Sequence, residues 1–154
     1  MNTQANAPDD VYYESHLARL RKSYVSGTPA QRAGIARQRM DNPGVTANML
    51  ITCVSAVEGL SRSLVIEGLV LDGMEHRDAY DTTWRMSPPD MVSAIARSRG
   101  QNPETLVDAD VCRLFVWGVK YRHLLIHEAT FLNENDGSWL IDATRRLFNA
   151  IDPS

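Results

Sequence analysis

The chain of 154 residues is 44% hydrophobic and 23% charged, the balance of an ordinary soluble globular protein and enough for one domain with its own core. A net charge of −3 excludes a basic field over the whole surface, so any contact with nucleic acid has to come from a local patch. Its two cysteines, Cys53 and Cys112, sit in apolar stretches without metal-ligand spacing and read as buried free thiols in a reducing cytoplasm.

Met1 to Asp10 lacks the basic and apolar regions of a secretory signal, and residues 1–8 read as a disordered lead into a single helical domain over 9–152. Asp9 and Asp10 are placed to cap a first helix running through Leu17, Leu20 and Tyr24 to Gly27. Arg19, Arg21, Lys22, Arg32, Arg37 and Arg39 crowd this part of the chain, either as a solvated helix face or as a surface that tracks RNA. Thr28-Pro29-Ala30-Gln31 has the form of a capping box with proline at the first helical position, opening a short helix to about Met40.

After the Asn42-Pro43-Gly44 turn, Leu50, Val57, Leu64 and Leu71 recur at seven-residue steps, so a long helix is predicted from Thr46 to about Leu71. Glu58, Arg62 and Glu67 interrupt its apolar surface, which marks a core helix and not a membrane span. Met74 to Met86 reads as a loop with one helical turn. Ser87-Pro88-Pro89-Asp90 starts a helix that stops at Gly100, and Asn102-Pro103-Glu104 opens a further short turn. A second long helix is expected from about Asp108 to Leu132, broken by Asn135-Asp136-Gly137, with Ser138 capping a final helix through Ile151. The expected fold is all-α: an up-down helical bundle with two long antiparallel helices and shorter flanking helices.

Chemistry concentrates in Lys120-Tyr-Arg-His-Leu-Leu-Ile-His-Glu128. A guanidinium forks onto phosphate oxygens at any pH, and an imidazole moves protons near neutrality. On a helix, Arg122 and His127 lie roughly 140° apart and about 7.5 Å along the axis, too far for a direct pair but within reach of one phosphodiester. Arg122 stands among Phe115, Gly118, Val119, Ile126 and Ala129, an apolar face on which a charge has to be paired or used. Glu58, close to the inner face of the first long helix, is placed to orient Arg122 or His127; it also forms an i, i+4 pair with Arg62. The competing reading makes Arg122 an ion-pair partner beside two surface histidines. His123 and His127 share the four-residue spacing of paired zinc ligands, but nothing local completes a site, and no metal or other cofactor is expected. His16 and His76 are remote and are expected to take no part.

Arg122-His123-Leu124-Leu125-Ile126-His127 resembles the R-φ-x-x-x-H signature of the HEPN superfamily, in which φ is usually Asn, Asp or His. The resemblance covers about residues 46–151 in architecture and six residues in motif. It implies a metal-independent endoribonuclease of toxin or antiviral-defence type, with RNA as substrate and a homodimer whose motifs form a composite active site. Arg122 would bind the scissile phosphate, His127 would act as acid or base, and His123 would position them. An antitoxin or defence-system partner fits that setting, although Ala129 replaces the tyrosine of the branch neutralised by nucleotidyltransferases. The alternative it leaves open is a non-catalytic helical module binding RNA or a protein partner.

Overall fold

The computed structural model describes residues 6–128 and 130–154, Tyr24 by its backbone only; residues 1–5 and Ala129 lie outside the described part. Helix is the only regular structure among the described residues, and the fold is an all-α bundle: α1 (Asp10–Ser26), α2 (Pro29–Asp41), α3 (Val45–Leu71), α4 (His76–Trp84), α5 (Pro88–Ser98), α6 (Pro103–Leu106), α7 (Ala109–His127) and α8 (Glu134–Ile151). Local chemistry sets most of the starts. Asp9 accepts from the Tyr12 amide, Thr28 and Gln31 form a reciprocal capping box, and Ser87 and Asn102 accept from Asp90 and Thr105. Each such cap is worth about 0.5–2 kcal/mol.

At 27 residues, α3 is long and apolar enough, by length and composition, to cross a membrane. Here it is the central helix, packed against α4, α5, α7 and α8, with Leu50, Val54, Val57 and Val65 buried. Gly118 lets α7 approach closely: a β-carbon there would already touch Leu50, Val54 and Thr144 at 3.5–3.6 Å. That approach brings the next turn of α7, which carries Arg122, alongside α3.

Three boundaries differ from the sequence reading. Residues 76–84 form a nine-residue helix, because Ala79 and Thr83 are buried together on one side of α4 as it packs on α3. The second long helix ends at His127 instead of Leu132. Asn135-Asp136-Gly137 is not a break but the first turn of α8, capped by Asn133 and not by Ser138. Tertiary contacts reinforce that local cap. Asp136 is buried and receives hydrogen bonds from Tyr12 and Asn133. Gly137 is pressed so tightly that a β-carbon would sit 2.4 Å from Thr46 and 3.0 Å from Leu132.

α1 lies over α7 through a polar and aromatic seam. Tyr13 is fully buried and stacks on Trp117, with ring centroids 5.8 Å apart. The Trp117 indole N–H donates to Asp10 at 2.8 Å, and Arg113 donates to the Pro8 carbonyl. Ala7 packs on the core just before the helix. His16 Nδ1 lies 2.6 Å from the Tyr121 hydroxyl, and its Nε2 lies 3.7 Å from Asp136. Burial first, and the Asp136 charge second, push the Tyr13 and Tyr121 phenols well above their ordinary range, so both stay neutral. Cys53 and Cys112 are free but only half-buried, short of the full burial expected of them.

Candidate active site

Arg122, His123 and His127 all lie in the last two turns of α7. The Arg122 side chain, 17% exposed, reaches across to α3 and donates from Nη1 to Glu58 Oε2 at 2.5 Å. Glu58 also accepts from Arg62 Nη2 at 3.1 Å, so one carboxylate that is 22% exposed bridges two guanidinium groups. Burial works to raise the Glu58 carboxyl, but the hydrogen bonds and charges of Arg122 and Arg62 outweigh it and hold the group below the usual carboxylate value. The arginine is therefore fixed by the carboxylate that the α3 periodicity placed near the interior. A guanidinium carries five N–H donors, and Glu58 engages one nitrogen of Arg122.

His123 and His127 are exposed and their rings lie against each other, centroids 4.5 Å apart and tilted by 49°. The structure thus joins Arg122 to Glu58 and His123 to His127. It does not join the two pairs, since no hydrogen bond links Arg122 to His127 among the described residues. Arg122 is turned toward α3, whereas His127 forms part of the wall of a groove of about 1130 Å³ shared with Leu20 of α1 and with Gln31, Arg32 and Ile35 of α2. Phe131, exposed in the α7–α8 connection, also lines the groove.

Two of the six cations crowded into the first 40 residues hold this groove together. Arg39 donates to the Thr130 carbonyl, and Arg32 pairs with Glu128 at 3.5 Å. These contacts tie α2 to the segment after His127. At these two positions the cluster is structural, and neither a purely solvated face nor an RNA-tracking surface describes them.

The apolar arc of Leu114, Trp117, Tyr121, Leu125 and Leu132 is buried within this one chain. α1 covers Trp117 and Tyr121, and α3 and α8 pack on α7 as well. That arc is covered without a second copy. What α7 leaves open near the motif is Ile126, 52% exposed, together with the two histidines. His16 was passed over in the sequence because its partners lie more than 100 residues away; its signal was its position with Tyr12 and Tyr13 on one face of an aspartate-capped helix.

Among the described residues, no group of three or more His, Cys, Asp or Glu side chains is arranged to hold a metal ion. Ala129, on which the departure from the nucleotidyltransferase-paired branch rests, lies outside the described residues. No family model, no curated protein and no solved structure matches this chain.

Proposed function

We propose that the chain is a HEPN-like, metal-independent endoribonuclease, acting in the cytoplasm as a homodimer with a composite active site. The observation that carries the reading is one helix end bearing an arginine fixed by Glu58, with donors to spare, and an exposed pair of imidazoles. In the reaction proposed, a base removes the proton of a ribose 2′-OH, that oxygen attacks the adjacent phosphorus, and the P–O5′ bond breaks as an acid gives a proton to the departing 5′-oxygen of the next nucleotide. His127 serves as acid or base, assisted by His123, and Arg122 stabilises the charge that grows on the phosphate oxygens. The products are a 2′,3′-cyclic phosphate and a 5′-OH.

Because Arg122 and His127 face different sides of α7, the reading needs a second copy to bring one chain's guanidinium near the other's imidazole. Exposed Ile126, one turn beyond Arg122, supports a two-fold contact at that place. A toxin or antiviral-defence role, with an antitoxin or defence-system protein as partner, belongs to the same proposal.

The Arg62–Glu58–Arg122 bridge also favours a second reading, in which Arg122 is a structural strut and the module binds RNA or protein without cutting. Alanine variants separate the two. For the enzyme, Arg122→Ala and His127→Ala each abolish RNA cleavage while helical circular dichroism is retained, His123→Ala costs less, and His76→Ala costs nothing. A wild-type protein that binds RNA but never cuts it assigns the non-catalytic module.

A further inference from the structure

Tyr80 and Trp84 lie one turn apart on α4, and both remain exposed despite their size; Trp84 keeps 61% of its surface in solvent. Their rings meet edge to face, with centroids 5.8 Å apart at 79°. The Arg62 guanidinium sits over the Trp84 ring, 4.6 Å from its centroid. That same arginine donates to Glu58, which holds Arg122. An unbroken run of contacts therefore leads from the arginine at the candidate site, across α3, to an open indole on α4.

The surroundings of this indole point to one class of occupant. Arg77 is exposed and falls on the Tyr80–Trp84 face at helical spacing, and exposed Arg85 directly follows Trp84. Asp81 borders the strip and Asp78 lies further round α4, so the cations that matter are Arg77 on the ring face and Arg62 over the indole. Arg62 Nε is a buried donor without a hydrogen-bond partner among the described residues. Aromatic rings interleaved with guanidinium groups are what an unpaired nucleotide strand requires: a π-face for a base and cations for its phosphates. A protein partner covering the same strip would have to bury Arg77 and Arg85 beside the rings, which is costly unless each finds a counter-charge.

We propose that Trp84, backed by Arg62 and flanked by Tyr80, is a base-stacking platform that holds an unpaired RNA nucleotide close to the phosphate bound by Arg122. The proposal rests on the ribonuclease reading for its substrate class. It adds a specificity: bases at the cut are unpaired, because a base still in a duplex offers no free face to the indole.

The test is fluorescence anisotropy of the 154-residue chain with a labelled oligoadenylate carrying 2′-O-methyl groups, which cannot be cleaved, with an abasic strand of the same length in parallel. Trp84→Ala should weaken binding of the oligoadenylate by roughly 5- to 150-fold, the range of base–aromatic stacking. Trp84→Phe should keep most of the affinity, and Trp84→Leu, which retains apolar bulk without a π-face, should behave as alanine does. The abasic strand should bind all four proteins alike. Equal affinity of wild type and Trp84→Ala for the oligoadenylate overturns the platform, as does an equal loss on the abasic strand. Lowered dimer formation in Trp84→Ala with unchanged RNA affinity assigns the indole to a second copy instead. Because the strand is uncleavable, failure of the ribonuclease reading shows in cleavage assays and leaves this binding result separate.

Discussion

Replacing Glu58 by glutamine removes one charge and keeps the side-chain shape, so it isolates what the carboxylate does between Arg122 and Arg62. The native contacts are charge-assisted, at 2.5 and 3.1 Å, between side chains 17–22% exposed. Hydrogen bonds to charged groups contribute about 1.5–3 kcal/mol when well shielded, and the remaining solvent access puts the pair together near 2 kcal/mol. In a domain of this size that lowers Tm by about 4–8 °C at pH 7. The pH dependence follows from the depressed carboxyl. A group with a lowered folded-state value contributes fully above its unfolded value, about 4.3, and loses the contribution as pH falls through the folded value. The gap between wild type and Glu58→Gln should thus be widest near neutrality and close in acid. Urea unfolding followed by circular dichroism at pH 7 and near pH 3 measures it. A gap of equal size at both pH values would mean that packing, not charge, holds the bridge. Arg122→Ala should cost less, about 1 kcal/mol, because Arg62 still covers the carboxylate and no buried charge is orphaned.

Gly137→Ala should destabilise by about 1–3 kcal/mol, since the new methyl would collide with Thr46 and Leu132; unchanged thermal melting would contradict the close approach of α8 to α3. His16→Ala should lower stability by about 1–3 kcal/mol by leaving the buried Tyr121 hydroxyl without its partner, while RNA cleavage by the protein that remains folded is unchanged. Light scattering at micromolar concentration should report a dimer that Ile126→Asp converts to monomer, and a monomeric wild type would remove the composite site.

Helix starts were legible in the sequence because caps act over a few residues: Asp9, Thr28 with Gln31, Ser87 and Asn102 are where side-chain chemistry alone puts them. Seven-residue apolar spacing located α3 and, with it, the inner position of Glu58. Its approach to Arg122, 64 residues away, was readable as an option because both lie on the facing sides of long helices. The start of α8 was not legible. Asn135-Asp136-Gly137 has the composition of a turn, which masks the local cap at Asn133; the packing of Thr46, Leu132 and Tyr12 around it holds it helical. The side to which His127 turns was equally hidden, since α2 and its arginines, remote in sequence, build the groove it lines. The α1 seam escaped for the same reason: His16, Tyr121 and Asp136 form a cluster only once three helices have met.

The most direct measurement is cleavage of end-labelled single-stranded RNA by the purified protein in excess EDTA, with a matched strand carrying one 2′-deoxy substitution at the cut. Cutting should proceed without metal, leave a 2′,3′-cyclic phosphate and a 5′-OH at the new ends, and fail at the deoxy position. Activity lost on chelation and restored by Mg²⁺ or Mn²⁺, or cleavage that ignores the missing 2′-OH, would contradict this mechanism.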